Sequence, residues 1–160
     1  MLFRSKFNFA DNKAILNDPT DNFFYDPWVI KDQYKGTIWD EILSTLPIPI
    51  GQARLITLNP GTCYQSHGDI DDRYHLNISG DHCYLINLEN LEMFPIEQDS
   101  IWYEMNAGVR HSASNFGVQY RKQLVVRKLL KKVSLKNFTS IRLTSLLTDP
   151  DDTRFLFDDV

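Results

Sequence analysis

At 160 residues, with 42% hydrophobic and 24% charged side chains, the chain has the size and make-up of one globular domain able to bury a core. Its net charge of −4 gives no general reason to expect a nucleic-acid partner, and no apolar run reaches the roughly 18 residues of a membrane-spanning helix. The opening residues lack the long apolar region of a secretory signal. The cytoplasm is therefore the expected compartment, where Cys63 and Cys83 stay reduced.

Residues 1–33 show no clear period. The cluster Phe23, Phe24, Tyr25 and Trp28 around Asp26 and Pro27 predicts a loop or short strands covering the fold, with a substrate-facing lid as the sharper alternative. From Tyr34 to Leu46 the apolar positions Ile38, Trp39, Ile42, Leu43 and Leu46 lie on one stripe, which predicts a helix packed against a sheet. Pro47 stops that helix and Pro49 keeps the next stretch out of helix. From Ala53 the pattern changes to strands, at Arg54–Leu58, Cys63–Asp69, Tyr74–Ile78, His82–Leu88, Phe94–Ile96, Ile101–Met105, Val109–Ala113 and Arg121–Leu129. Turn signals such as Asn59 to Gly61 and Ser79 to Asp81 separate them. Short strands at this spacing predict a sandwich or barrel. Beyond Leu130, the basic run through Lys131, Lys132 and Lys136 reads as a solvated strand edge protected by lysine. Phe138–Leu147 reads as a short helix and the acidic end as a tail. One domain is expected: an N-terminal cover (1–52) with its helix at 34–46, a β core (53–130) and a C-terminal extension (131–160).

Two stretches carry the chemistry. Gly61 to Asp69 contains His67-x-Asp69, and Gly108 to Arg121 contains His111 and Arg121. On a strand, residues i and i+2 share a face, so His67 and Asp69 can reach one ion; a helix would splay them by roughly 200°. His111 follows some forty residues later, room for several short strands that bring it back. Two imidazoles and one carboxylate on one face of an octahedral ion leave three positions open, the facial triad of non-haem Fe(II) oxygenases. Arg121 returns beside that site if the chain turns at Asn115 to Gly117, and its planar fork suits a carboxylate. Asp71 and Asp72 are rival carboxylates; Asp71 has the same parity but falls past the strand end. Arg127 is a rival cation of the same parity as Arg121.

His67-x-Asp69, His111 and Arg121 together resemble the Fe(II)/2-oxoglutarate-dependent oxygenases. Arg73-Tyr74-His75-Leu76, and His111 to Asn115 followed by Arg121, are similar to the aspartyl/asparaginyl β-hydroxylase-like branch, over roughly Ala53 to Leu130. Gly61-x5-His67 and Gly108-x2-His111-x3-Asn115 also resemble the two cupin signatures. Both resemblances imply a mainly β fold, a double-stranded β-helix (jelly-roll, cupin-like) barrel with one or two flanking helices. The oxygenase resemblance implies Fe(II) on His67, Asp69 and His111, 2-oxoglutarate chelating that iron with its far carboxylate on Arg121, and co-substrate contacts from His75 and Arg73. It also implies O2 as a substrate and hydroxylation of a C–H bond in an amino-acid side chain, free or within a peptide. Some members of the branch lack the carboxylate ligand; with Asp69 in place, a hydroxylase rather than a halogenase is expected.

Other readings stay open. A cupin-type metal-binding protein or metalloenzyme would share barrel and metal without the keto acid. A non-catalytic domain would bind a protein through the aromatic N-terminal region and take up no metal. His75 can be a core histidine, His82 a surface or packing residue, and Asn115 the cap of its turn. Cys63 can be a fourth ligand or a buried thiol. Trp102 and Tyr103 alternate, so one of them faces the barrel interior.

Overall fold

The computed structural model describes residues 13–130. The basic run beyond Leu130, the helix at 138–147 and the acidic tail lie outside the described residues. The strands in chain order are β1 (Lys13–Ile15), β2 (Asn17–Pro19), β3 (Trp28–Ile30), β4 (Ile50–Leu58), β5 (Thr62–Cys63), β6 (Arg73–Ser79), β7 (Cys83–Asn87), β8 (Glu92–Pro95), β9 (Tyr103–Met105), β10 (His111–Asn115) and β11 (Arg121–Lys128), with helix α1 (Ile38–Ser44) before β4.

One sheet has the order β1-β4-β11-β6-β9, a second the order β5-β10-β7-β8, and β2 pairs with β3 as a separate ribbon. The pairings are antiparallel. Counted from β4 to β11 as one to eight, the two sheets read 1-8-3-6 and 2-7-4-5, which is the strand order of a jelly roll, the double-stranded β-helix. The mainly β, cupin-like barrel expected from the sequence is the fold observed.

Directly opposed residues of antiparallel strands point to the same side of a sheet. In the five-stranded sheet Leu124 opposes Leu55 and Leu76, and Val126 opposes Ala53 and Tyr74. This outer face carries the larger apolar layer: Leu16, Leu43, Leu46, Ile50, Ala53, Leu76, Leu124 and Val126 are all buried, with Trp39, Ile42 and Trp102 packed against them. Helix α1 thus covers the sheet from outside, as its stripe of apolar residues requires. The Trp102 indole N–H donates to Thr45 Oγ1 at 3.0 Å, so Trp102 belongs to this outer layer. Tyr103 and Met105 pack between the sheets with Leu85, Ile96 and Ala113.

The helix is shorter than the 34–46 expected. Gly36 sits at φ +67° and its N–H is accepted by Asp40 Oδ2 at 2.9 Å. That left-handed residue divides a 3-10 turn at Asp32–Tyr34 from α1. The expected strand Cys63–Asp69 is also cut back, to Thr62–Cys63 and an isolated bridge between His67 and His111. The remaining expected strands are present within a few residues of their anticipated ends.

Candidate metal centre

The loop between β5 and β6 runs antiparallel to the segment entering β10. His67 N–H donates to His111 O at 3.1 Å, His111 N–H to His67 O at 2.8 Å, and Asp69 N–H to Ala107 O at 2.7 Å. His67 and Asp69 therefore share a side without a continuous strand, because their amides are pinned to a common neighbour. A Cβ on Gly68, between them, would lie 3.3 Å from the Gly108 carbonyl oxygen, so a side chain there would press the two segments apart.

His67, Asp69 and His111 bring their donor atoms within 4.8 Å of one another. The imidazole centroids are 4.5 Å apart, and His111 Nε2 is 3.8 Å from Asp69 Oδ2. Each ring is oriented by its other nitrogen: His67 Nδ1 lies 2.8 Å from Gln65 O, and His111 Nδ1 lies 2.8 Å from Val109 O. A carbonyl only accepts, so Nδ1 carries the proton in each case and Nε2 keeps its lone pair. Metal-ligating histidines are commonly oriented in this way. Burial, ahead of every other influence, lowers the His111 pKa below its ordinary value, which favours the neutral, ligating form.

Asp69 is fixed by Arg73, whose Nη2 lies 2.8 Å from Oδ1 and whose Nε donates to Oδ2 at 3.1 Å. Burial alone would raise the Asp69 pKa. The Arg73 charge and hydrogen bond, with the two imidazoles, outweigh it and hold the carboxyl below its usual range. Arg73 Nη1 is bound to Asp71. Arg73, which the resemblance sets against a co-substrate, is buried and engaged by two carboxylates, and it orients Asp69. Asp71, the rival carboxylate, turns away from the triad towards Arg73 and Arg127.

Deeper between the sheets, the inward faces of β4, β6 and β11 are polar. The register sets Arg54, Val125, His75 and Tyr103 in one row, and Ile56, Gln123 and Asn77 in the next. Arg121 is 1% exposed. It donates to Ser114 O at 3.2 Å and to Gln123 Oε1, while its Nε has no hydrogen-bond partner. Among the described residues no carboxylate pairs with it, and burial lowers its pKa. Both ring nitrogens of His75 are buried and make no hydrogen bond of good geometry, although Gln123 lies close enough to favour the protonated ring. Burial, then the Arg121 charge, lowers the His75 pKa to about 3, so this ring is neutral.

Arg54 is a residue that sequence reading missed. Burial first, then the charges of Arg73 and Arg127, bring its pKa down to about 10. The available signal was a charged residue at an inward position of an otherwise apolar strand. Arg127 stands 3.4 Å from Asp71 and under the Phe23 ring at 4.8 Å, so it anchors the aromatic N-terminal segment. Cys63 is exposed and free, whereas Cys83 is the buried thiol; Cys63 is not part of the triad cluster. Asn115 accepts from Gly117 N–H and donates to Leu58 O and Gln119 O, which caps the turn. His82 is exposed beside Asp81.

A first-row ion binds nitrogen and oxygen donors at about 2.0–2.2 Å, so neighbouring donors stand about 3 Å apart. Closing 3.8 Å between His111 Nε2 and Asp69 Oδ2 takes less than about 1 Å of side-chain adjustment. Two imidazoles, each with Nε2 turned to the cluster, and a carboxylate fit a divalent ion in chemistry and in reach. No helix among the described residues is long and apolar enough to cross a membrane.

Fold and site together define a jelly-roll barrel with a candidate His/Asp/His metal centre at one end of its interior. Neither a protein-family model nor a curated protein sequence matches the chain. Among solved structures, it is similar to an RmlC-like cupin with a double-stranded β-helix fold from Methanocaldococcus jannaschii, at 18% identity over 52% of this chain and 74% of that one, with a TM-score of 0.45. It is also similar to the Cupin_2 domain of an XRE-family transcriptional regulator from Enterobacter cloacae, at 11% identity over 75% of this chain and 99% of that one, with a TM-score of 0.45. A cupin-superfamily protein from Desulfitobacterium hafniense shares 15% identity over 49% of this chain and 67% of that one, with a TM-score of 0.41. At these scores the jelly-roll assignment rests on the strand order itself.

Proposed function

We propose that this protein is an Fe(II)- and 2-oxoglutarate-dependent hydroxylase, acting on a C–H bond of an amino-acid side chain at the face formed by His67, Asp69 and His111. The observation that carries this reading is the donor set: both imidazoles have Nδ1 committed to a backbone carbonyl, leaving Nε2 for metal beside an arginine-clamped carboxylate. Iron with its keto acid would supply the oxygen-activating chemistry. The chain's own residues would hold and orient. His67, Asp69 and His111 would hold the ion. Arg121, buried without a carboxylate partner among the described residues, offers a fork for the far carboxylate of the keto acid. His75, neutral with both nitrogens uncommitted, can donate to the same ligand and would keep the site from carrying excess positive charge.

Anaerobic titration with Fe(II), with and without 2-oxoglutarate, tests this. A weak visible charge-transfer band that needs both components is expected. Arg121→Ala should leave metal binding intact and weaken 2-oxoglutarate about 10- to 150-fold, the range for losing one charged hydrogen bond. Iron binding with no keto-acid effect would move the assignment to a second reading, a cupin-type metalloprotein that does not use 2-oxoglutarate. That reading is favoured by the two hydrogen bonds Arg121 already makes inside the barrel. No metal uptake would remove both and favour a binding domain.

A further inference from the structure

We propose that the cavity beside His111 is the substrate pocket and that it takes an aliphatic side chain, presented carbon-first, rather than an acidic or amide one. This rests on the proposed reading of the triad as the reactive site. The cavity has a volume of about 320 Å³ and includes His111 in its wall, at the lower end of the roughly 300–1,000 Å³ of small-molecule sites. Its apolar wall comes from both sheets, with Leu85, Phe94, Ile96, Tyr103, Met105 and Val109.

Both asparagine side-chain oxygens of the lining and one oxygen of Glu104 are already engaged as acceptors, which leaves few partners for an entering N–H. Asn87 Oδ1 takes the N–H groups of Glu89 and Asn90, Asn106 Oδ1 takes that of Gly108, and the Glu104 carboxylate takes Lys128. Among the described residues no arginine or lysine lines the cavity, and the His111 ring in its wall has its pKa lowered by burial. The unpaired barrel arginines, Arg54 and Arg121, are absent from this wall. An aspartate-type side chain entering here would lose its hydration and, apart from an ion held at the triad, would meet no counter-charge from the lining side chains. An aliphatic one gains about fourfold in affinity for each methylene buried. The interior is thus divided: an arginine-bearing lobe suited to a carboxylate, and an apolar lobe, with His111 in the wall of the latter.

Methionine-methyl NMR on the full chain reads this without turnover. Met1, Met93 and Met105 are the methionines of the sequence, and Met105 lines the cavity; Met105→Leu assigns its signal. Metal-free and anaerobic Fe(II)-loaded protein would each be titrated with N-acetyl-leucinamide, N-acetyl-asparaginamide and N-acetyl-aspartamide. The leucine probe is expected to shift the Met105 methyl saturably and at least tenfold more tightly than the other two. Phe94→Ala, at a half-exposed wall position that folding does not require, is expected to weaken the leucine probe three- to tenfold. Equal or tighter binding of the asparagine or aspartate probe overturns the proposal, as does an unmoved Met105 signal. A shifted Met105 methyl in protein that takes up neither Fe(II) nor 2-oxoglutarate would sink the hydroxylase reading while leaving the ligand class standing. Uptake of both with no response to the leucine probe would do the reverse.

Discussion

His75 is the residue whose environment makes the sharpest demand on solution conditions. In an unfolded chain its ring titrates near the ordinary value of 6.5, and in the barrel burial and Arg121 lower that to about 3. Between those values the unfolded chain binds a proton that the native chain refuses. Its contribution to stability is therefore complete above the unfolded pKa and is lost as pH falls through the window, by up to about 1.4 kcal/mol per pH unit. Urea unfolding at about pH 7.5 and about pH 5 should show a marked loss in the wild type and a shallower one in His75→Gln; equal slopes would mean that the ring is protonated in the fold. Arg73 makes a second demand, geometric this time. Its fork holds both oxygens of Asp69 and one of Asp71, which an ammonium cannot reproduce. Arg73→Lys should lower metal affinity about 10- to 100-fold, measured by chelator competition with Co(II), with far-UV circular dichroism preserved. Unchanged affinity would reduce Arg73 to a buried ion pair with no bearing on the ligand.

At the scale of elements, β11 does two jobs on two faces. Leu124 and Val126 close the outer apolar layer, fully buried, while Arg121, Gln123 and Arg127 enter the polar interior. Leu124→Ala should cost about 2–5 kcal/mol of stability and leave metal affinity within about twofold, because the cavity it opens lies on the far side of the sheet from the triad. A parallel loss of both would show that the two faces are coupled through the strand. The alternation that separates these faces is also what made β4, β6, β7 and β11 legible from the chain alone: a period of two with one apolar side survives without tertiary information. Residues 64–70 were not legible in the same way. Their extended path is set by amides pinned to Ala107 and His111, contacts some forty residues distant that no local pattern encodes. The helix start was misplaced because Gly36 lies inside the expected span 34–46, just ahead of the apolar stripe, and only its left-handed φ reveals the break. The same limit applies to the site. The spacing of His67, Asp69 and His111 picked out three residues that the fold brings within 4.8 Å of one another, but the engagement of Arg73 by Asp69 and Asp71 depends on side-chain geometry, and Arg54 gave only an inward charge on a strand.

For the molecule as a whole, the location of the apolar layer is the informative feature. A jelly roll can fill its interior with side chains, yet this one puts its larger core outside, under α1 and the N-terminal strands. The space between its sheets holds Arg54, Arg73, His75, Asn77, Arg121 and Gln123. Several of these have buried polar atoms with no hydrogen bond, and such atoms cost about 1–3 kcal/mol each. A fold selected for stability alone would replace them. Exchanging a buried charge for an apolar side chain of similar length is often neutral or stabilising, and sites that bind ligands often give up stability to do so. Arg121→Met is therefore expected to keep or raise the urea midpoint of the metal-free protein while weakening 2-oxoglutarate as much as Arg121→Ala does. That combination would mean that the guanidinium is kept for a ligand. A variant that unfolds would instead make its bonds to Ser114 and Gln123 the reason for its presence, and the interior would be a polar core in its own right.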